Sequence, residues 1–430
     1  MGQDLHTTYE VIRKNFDTCV AYFNDLLDTP LQEVMWNKDH KDLLNSTLYT
    51  QPALFAYEFA LYKLFESIGV QASAVMGHSV GEYVAAVAAG IMSSQEAMKI
   101  VIKRATLMNA LPLNGGMMAV SLEASKVKEM LTSKGFDLDI AAINTSTQTV
   151  VSGLKETLLR FKDFLDQNEI KAQELSVSHA FHSKLLDPIL DDFEQSLKDI
   201  SFKTPEISLI SNLTGEVLKE APTASYYKDH LRNAILFDHS IKTSQTLGIS
   251  TYLEVGPSPI LSTFVRSSVE KATVIAASSP KKEALQTLVD AQKSLYEAGI
   301  LLDFEELFKD LNPQKIDLPL YPFDKTKYWP KALETVEKSH FYETKFVEKP
   351  LLEEEKNYKK SWLIAGINDK FTTKVCDFLS KKDLKVHKLS IKNSDFSSTE
   401  KMTQILDNLR QEKGFDGVIW LCSSTQKDLS

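Results

Sequence analysis

The sequence predicts an α/β protein in which a mostly parallel, helix-flanked sheet is interrupted by a compact α+β module and followed by a second, partial β-α-β unit. Three observations predict this fold class. A short apolar strand runs through a glycine-bracketed turn into a helix at 74–90, the hydrophobic period changes at 115–178, and strand-like and helix-like segments alternate from 361 onward. The first and third patterns are typical of parallel strands joined by helices, and the second is typical of an antiparallel sheet.

Two helix-like segments precede the first strand. Apolar residues recur at helical spacing between Gly2 and Trp36, which keeps one face of that segment buried. From Thr50 a strongly apolar segment follows, with Pro52 in its first turn and Gly69 as its stop. Helix, strand, turn and helix is the order of a helix-covered parallel sheet, so residues 1–114 are predicted to begin the main subdomain.

The turn Gly77-His78-Ser79-Val80-Gly81 has the pattern of a nucleophile elbow. The serine of such a turn stands in a strained backbone conformation, and the flanking glycines let the helix pack closely on the strand. Free N–H groups at the helix N-terminus then favour a developing oxyanion. Ser79 is therefore a candidate nucleophile in a hydrolase-like fold; the alternative is that it only caps the helix.

A second helix carries an arginine on its apolar face. It begins at Ser93, which has capping-box spacing to Glu96. At about 100° per residue, Arg104 falls on the apolar stripe formed by Ile100, Val101, Leu107 and Met108. An unpaired buried charge is very costly, so Arg104 requires a partner. Two interpretations stay open: a structural ion pair or snorkelling side chain, and a site for a substrate carboxylate.

Residues 115–178 read as an inserted module. The order is strand, helix, two strands around a polar turn, helix and strand, and the segments are MMAVSL, SKVKEMLTSKG, LDIAAINTSTQTVVSG, KETLLRFKDFLDQNEI and KAQELSVS. This order is that of the ferredoxin-like α+β unit. We therefore predict a ferredoxin-like subdomain at 115–178, with the hydrolase-like subdomain resuming at 179–270.

His179 and His182 follow the module and precede a helix. A histidine titrates near neutrality, so one of them could take the proton of Ser79 as a general base. No Cys, Asp or Glu cluster with ligand spacing accompanies the pair, so we predict no metal. Two ordinary loop histidines are the remaining alternative, and the sequence does not say which one reaches Ser79. Glu254 is not assigned to a triad, because the order Ser, His, acid differs from that of α/β-hydrolases.

The last part of the chain predicts a linker and a second unit. Residues 271–332 hold one amphipathic helix and the segment LPLYPFDKTKYWP, whose prolines and aromatics favour an extended strap. Residues 333–430 contain the strands SWLIAGI, KVHKLSI and GVIWLCSS with helices between them, a partial Rossmann-like unit. Its first turn lacks G-x-G-x-x-G, so we predict no dinucleotide binding there.

Composition argues against several classes of function. The formal net charge of −9 over 430 residues argues against nucleic acid as a partner. The sequence has no run of eighteen apolar residues and begins with a polar stretch, so neither a membrane span nor a secretory signal is expected. Three widely spaced cysteines fit a reduced protein. We therefore expect a cytoplasmic location without membrane contact.

Taken together, these segments resemble a known family. QPALFAYEFAL, GHSVGEY, RATLMNALP, INTSTQTVVSG, VSHAFHS, SNLTG, HLRNAILF, LEVGPSPIL and LPLYPFDKTKYW stand in the order found in the acyltransferase domain of modular type I polyketide synthases and, more distantly, in malonyl-CoA:acyl-carrier-protein transacylases. The resemblance covers 2–329. The remainder is similar to the start of the structural half of a ketoreductase domain, which implies a fragment of a multidomain synthase with ketosynthase and ketoreductase neighbours.

The resemblance implies a reaction. A malonyl unit moves from malonyl-CoA to a serine and then to the phosphopantetheine thiol of an acyl carrier protein, with no bound cofactor. Ser79 in GHSVGEY matches the acylated nucleophile, and His182, the second histidine of HAFH, matches the general base. The backbone carbonyl of His230 matches the group that orients this base. The arrangement implied is a dyad.

The resemblance also implies the residues that bind substrate. Arg104 matches the arginine that holds the free carboxylate of the extender unit, and the backbone N–H of Val80 matches a donor to the oxyanion. Phe181 in HAFH is similar to the malonyl-selective form, in which a bulky side chain leaves less room for an α-methyl branch. His78, beside the nucleophile, is assigned to the same substrate-binding group.

Two other classes of function remain open. A serine hydrolase such as a thioesterase shares the elbow, although Arg104 favours the transferase because a hydrolase for plain acyl chains would want an apolar residue there. A non-catalytic scaffold is the other alternative. The family normally opens with a strand and a GQGSQ-like loop whose glutamine supplies a second oxyanion donor, and this stretch is lacking before Met1-Gly2. Losing one such donor typically costs ~10²–10³ in turnover, so lower activity is expected of this chain alone.

Overall fold

The chain forms two units, Met1–Pro319 and Leu320–Ser430. The structure is a computed structural model that describes residues 2–311, 314, 316, 317, 319, 361–366, 370–382, 384–390, 399–415 and 417–421. Nearly all of the predicted strap and the turn at 367–369 lie outside the described residues. Within the described ranges, no helix combines the length and the apolar character needed to cross a bilayer.

The first unit begins with helices, as the apolar spacing predicts. They are α1 (Gln3–Thr8), α2 (Glu10–Asn24), α3 (Leu31–Trp36), α4 (Lys41–Leu44) and α5 (Thr47–Ser67). Helix α5 starts before the predicted Thr50, so Pro52 lies in its second turn and not in its first. Gly69 follows the helix with a φ of 86°, a left-handed conformation that glycine adopts at little cost.

The hydrolase-like part of the unit pairs its strands in parallel. Its elements are β1 (Ala74–Val75), α6 (Gly81–Ala88), α7 (Ser94–Asn109), α10 (Leu190–Ser196), β6 (Ser208–Leu209), α11 (Ala224–Arg232), α12 (Phe237–Thr246), β7 (Thr251–Glu254), α13 (Ile260–Ser268) and β8 (Thr273–Ala276). Strand β1 pairs with β6, and β7 pairs with β8. The predicted parallel pairing is confirmed, but in the described part of the chain these strands form two separate pairs.

The inserted module is ferredoxin-like, as predicted. Its elements are β2 (Gly115–Val120), α8 (Ala124–Lys134), β3 (Leu138–Thr145), β4 (Gln148–Leu154), α9 (Lys155–Gln167) and β5 (Ala172–Glu174). The four strands pair antiparallel in the order β3-β4-β2-β5. Apolar residues of α8 and α9, including Val127 and Phe161, bury against one face of this sheet and form its separate core.

One short contact joins the two subdomains next to the elbow. Ile235, between α11 and α12, forms a parallel bridge with Ala142 of β3. The Ile235 N–H donates to the carbonyl of Ala141 at 2.9 Å, and its carbonyl accepts from the N–H of Ile143 at 2.8 Å. A hydrophobic cluster that includes Ala142, Ile235 and Phe237 packs between the two subdomains. Because Ile235 is held in this way, the backbone before it has a defined position relative to β3.

The hydrolase-like subdomain extends beyond the predicted boundary at residue 270. Strand β8 lies in the predicted linker and pairs with β7. Two further helices, α14 (Ala284–Glu297) and α15 (Phe304–Phe308), bury Leu288, Leu295 and Leu307 in the main core. The amphipathic pattern predicted α14 but did not indicate that this helix packs on the main core. Because β8, α14 and α15 all contact the hydrolase-like subdomain, residues 271–308 are part of it.

The second unit has the predicted β-α-β-α-β order. Its elements are β9 (Ser361–Gly366), α16 (Lys370–Ser380), β10 (Lys385–Ser390), α17 (Thr399–Lys413) and β11 (Gly417–Leu421). All pairs are parallel, and the order β10-β9-β11 places the first strand in the centre. This is the order of flavodoxin-like sheets, whereas in the dinucleotide-binding half the second strand is central.

Candidate active site

Ser79 stands on a strained turn between β1 and α6. Its φ of 52° lies in the left-handed region, which a residue with a Cβ adopts only when the surroundings impose it. Gly77 is required sterically, because a Cβ there would lie 2.2 Å from the backbone nitrogen of Glu82. The equivalent atom on Gly81 would meet nothing closer than a carboxylate oxygen of Glu58 at 3.6 Å. The predicted elbow geometry is therefore present, with Gly77 as its tight point.

His182 is the histidine that reaches Ser79. Its Nε2 lies 2.8 Å from Ser79 Oγ, and its Nδ1 lies 3.0 Å from the backbone carbonyl of Asn233. Since a carbonyl can only accept, Nδ1 carries the hydrogen and the Nε2 lone pair faces the serine hydroxyl. Burial, reinforced by the positive field of Arg104, holds the pKa of His182 well below its usual value. The imidazole is thus neutral at physiological pH and able to accept a proton.

The carbonyl that orients His182 is that of Asn233, so the predicted role of the His230 carbonyl is wrong in this structure. Helix α11 ends at Arg232, and Asn233 has an extended conformation with φ −90° and ψ 169°. Its carbonyl consequently turns away from the helix axis, whereas His230 remains in the last turn. The His230 ring is fully buried and lies edge-on to that of His182, with 6.3 Å between the ring centroids.

His179 has a structural role. Its Nε2 donates to the carbonyl of Leu111 at 3.2 Å, and its Nδ1 accepts from the Thr47 hydroxyl at 2.9 Å. Both ring nitrogens are therefore engaged away from the nucleophile. The sequence left open which histidine faces Ser79, and only the folded loop distinguishes them.

Glu254 caps a helix and takes no part in the site. Its carboxylate accepts the N–H groups of Leu261 and Ser262 at 2.9 and 2.6 Å, at the start of α13. These are donors that the first turn of a helix leaves unsatisfied. Glu254 is therefore not the acid of a Ser-His-acid triad, as the order of these residues in the sequence predicts.

Arg104 is buried beside the nucleophile without a carboxylate partner. Only 2% of the residue is exposed. Its Nη2 donates to Ser79 Oγ at 3.0 Å and its Nη1 donates to Gln51 Oε1, while the buried Nε has no hydrogen-bond acceptor in the described part of the chain. None of the ion pairs among the described residues includes Arg104, and burial lowers the pKa of its guanidinium. The structural ion pair is therefore ruled out within the described chain, and a buried positive charge remains available to an anionic ligand.

Sequence reasoning missed the residue that clamps the elbow. The side chain of Asn212 accepts the Ser79 N–H at 2.7 Å through Oδ1 and donates to the Gly77 carbonyl at 2.6 Å through Nδ2. Its own N–H donates to Glu82 Oε2 at 2.6 Å. Glu82 also accepts the hydroxyl of Tyr226 at 2.6 Å, and burial raises the pKa of Glu82 to about 7. A glutamate on the otherwise apolar helix α6 was the signal that could have indicated such a network.

Gln51 is a second residue that sequence reasoning missed. It orients the Arg104 fork through Oε1 and lies on α5, which is otherwise strongly apolar. A buried amide on an apolar helix face needs a polar partner, and this was the available signal.

The remaining predicted residues surround the elbow in different ways. The Val80 N–H, at the start of α6, donates to no acceptor in the described part of the chain. The Nε2 of His78 donates to Asn144 Oδ1 of β3 at 2.9 Å, and its ring lies 5.6 Å from that of Phe237. Phe181 is half-buried and packs against the main core and against the cluster around Ala142, Ile235 and Phe237, which lies between the two subdomains. His78 and Phe181 therefore lie where the two subdomains meet.

Known proteins resemble this chain over its first unit. The family model described as acyl transferase domain matches residues 1–300. The chain belongs to the acyltransferase domain family. This acyltransferase is 38% identical over 332 residues to mycoketide-CoA synthase of Mycobacterium tuberculosis, a match that covers 76% of the chain and 8% of that protein. It is 32% identical over 339 residues to polyketide synthase GfsA of Streptomyces halstedii, covering 76% of the chain and 4% of that protein. The acyltransferase thus spans less than a tenth of either relative.

Solved structures resemble the acyltransferase over a similar range. The acyltransferase domain from the second module of the salinomycin polyketide synthase has a TM-score of 0.69 at 31% identity, covering 75% of this chain and 76% of that one. FabD from Acinetobacter baumannii has a TM-score of 0.62 at 26% identity, covering 69% and 94%. The fold class predicted from the sequence is confirmed by these neighbours.

Proposed function

We propose that this acyltransferase moves a malonyl unit from malonyl-CoA to the phosphopantetheine thiol of an acyl carrier protein, through an ester on Ser79. The observation that carries the proposal is the double contact of Ser79 Oγ, with His182 Nε2 at 2.8 Å and Arg104 Nη2 at 3.0 Å. The neutral imidazole can take the proton of the Ser79 hydroxyl, and the guanidinium, which has no carboxylate partner in the described chain, can bind an acyl group that ends in a carboxylate. A solved relative with 27% identity, from Clostridium perfringens, is a malonyl-CoA-acyl carrier protein transacylase.

Acylation begins with proton transfer from the Ser79 hydroxyl to His182 Nε2. Oγ attacks the thioester carbonyl carbon, and the oxyanion that forms accepts the free Val80 N–H. The tetrahedral intermediate collapses, the carbon–sulfur bond breaks, and the coenzyme A sulfur takes the proton from His182. The Nδ1–H bond to the Asn233 carbonyl keeps the imidazole in the tautomer that these steps need.

Transfer reverses these roles with a second thiol. The phosphopantetheine thiol gives its proton to His182 and attacks the ester carbonyl. The ester bond to Ser79 breaks, and Oγ takes the proton back, so the enzyme is regenerated. In both steps Arg104 binds the distal carboxylate with two parallel hydrogen bonds, which a lysine ammonium cannot reproduce.

Selectivity and partners belong to the same proposal. Phe181 is adjacent to His182 and packs against the main core and the cluster between the two subdomains, where it would restrict the space for an α-methyl branch. Discrimination against one methyl group is modest, on the order of 10–200-fold. We propose that ketosynthase and ketoreductase domains neighbour this domain, with 333–430 as the start of the ketoreductase structural part. The parallel β9–β11 sheet supports the latter.

Labelling with radioactive malonyl-CoA tests the function. We expect stable label on the Ser79 peptide, absent from Ser79→Ala, and its transfer to an added holo carrier protein. Rapid release of the label as free malonate would instead support a serine hydrolase. A folded protein that takes up no label would overturn the proposal and support a scaffold.

A further inference from the structure

One carboxylate of the small subdomain contacts both segments that form the His182–Asn233 hydrogen bond. Asp139 lies on β3, and its Oδ2 accepts the backbone N–H of Lys184, two residues after His182, at 2.8 Å. Its Oδ1 lies 3.6 Å from Nη2 of Arg232, the residue just before Asn233. Asp139 therefore links the loop that carries the imidazole to the helix end that carries its acceptor.

Arg232 closes the link from the other side. Its Nε donates at 2.5 Å to Asp187, which lies in the 3-10 helix that follows His182. The guanidinium thus contacts one carboxylate on each side, Asp139 on β3 and Asp187 in the 3-10 helix that follows His182. Because Arg232 is the last residue of α11, its placement determines where the Asn233 carbonyl points.

The backbone at His182 has an unfavourable conformation that contacts such as these must hold in place. His182 has a φ of 55°, a left-handed conformation that costs of order 1–3 kcal/mol and persists only where the surroundings impose it. Asp139 and Arg232 are 30% and 25% exposed at their side chains, so solvent weakens their attraction. Their contribution is then geometric: they fix the direction of a hydrogen bond more than they stabilise the fold.

We propose that Asp139 and Arg232 are positioning residues that hold the His182 imidazole at hydrogen-bonding distance from Ser79. The small subdomain would then help to position the general base of the main subdomain. This inference rests on the proposed role of His182 as general base.

Kinetics of Ser79 acylation test the proposal. Asp139→Ala should lower the single-turnover rate at saturating malonyl-CoA by ~10- to 100-fold, since small displacements of a catalytic group have effects of this size. KM should stay within about twofold because Arg104 is untouched. Asp139→Asn keeps an acceptor for the Lys184 N–H, so its single-turnover rate should lie between those of the wild type and Asp139→Ala. Asp137→Ala is the matched control, because the Asp137 carboxylate is 71% exposed and, among the residues that the structure describes, forms its ion pair with the Lys184 ammonium alone.

A spectroscopic measurement separates positioning from mere stability. Nitrogen-15 NMR of His182 should show the Nδ1–H tautomer in the wild type and a mixture in Asp139→Ala. The Asp139→Ala/Arg232→Ala double variant should be no slower than the slower single variant, because both act through one hydrogen bond. A lower melting temperature with unchanged rate and tautomer would overturn the inference, as would additive effects. If the wild type is not acylated, the proposed function fails, while the tautomer comparison still decides the role of Asp139.

Discussion

The substitution Arg104→Met tests whether the buried charge of Arg104 binds substrate or stabilises the fold. Arg104 is 2% exposed and belongs to no ion pair of the described chain, and its guanidinium donates to the neutral side chains of Gln51 and Ser79. Breaking a buried ion pair by removing one partner would cost 3–5 kcal/mol, because the other charge would be left uncompensated. Arg104→Met leaves no such charge behind.

The expected effect on stability is small. The variant loses two hydrogen bonds to a charged group, worth about 1.5–3 kcal/mol each. It also removes the penalty of burying an unpaired charge, which is several kcal/mol. The two contributions oppose each other, so we expect the free energy of unfolding to change by less than about 2 kcal/mol.

The expected effect on catalysis is much larger. The two charge-assisted hydrogen bonds to the malonyl carboxylate are together worth about 3–6 kcal/mol, which corresponds to roughly 10²- to 10⁴-fold in kcat/KM. Acetyl-CoA has no such carboxylate, so its kcat/KM should not fall. Arg104→Lys keeps the charge without the fork and should lie between the wild type and Arg104→Met.

The assay is a competition between malonyl-CoA and acetyl-CoA, read from the intact mass of the acylated protein. Urea unfolding of the same samples gives the change in stability. A malonyl preference within threefold of the wild type would refute the assignment of Arg104. So would a loss of more than 3 kcal/mol in stability with malonylation retained, because that is the behaviour of a structural charge.

Two further substitutions test the rest of the site. Phe181→Ser should raise the ratio of methylmalonyl to malonyl transfer by ~10- to 200-fold, measured in the same competition assay, and an unchanged ratio would remove Phe181 from the specificity residues. Burial raises the pKa of Glu82 to about 7, so between its ordinary value and pH 7 the folded protein binds more protons than the unfolded one. Stability due to Glu82 therefore falls as pH rises through that window, by up to about 3 kcal/mol. Glu82→Gln keeps an acceptor for the Asn212 N–H and should flatten the decline in urea stability between pH 5 and pH 8; an unchanged slope would contradict this.

Local patterns in the sequence were sufficient to predict much of the fold. The alternation and helical spacing at 115–178 predicted the ferredoxin-like module, and the glycine spacing around Ser79 predicted the strained elbow. Helical projection predicted that Arg104 would be buried. These features depend on residues close together in the chain, whose relation is set by the period of a helix or a strand.

The tertiary structure alone decided which groups meet. Ser79 and His182 are 103 residues apart, and Ser79 and Asn212 are 133 apart, so no local period relates them. The structure selects His182 over His179 and the Asn233 carbonyl over that of His230. Among the described residues it also leaves Arg104 without a carboxylate partner. These outcomes depend on where helices end and loops cross. A period determines which face of an element is buried, whereas the packing of distant elements determines what that face touches.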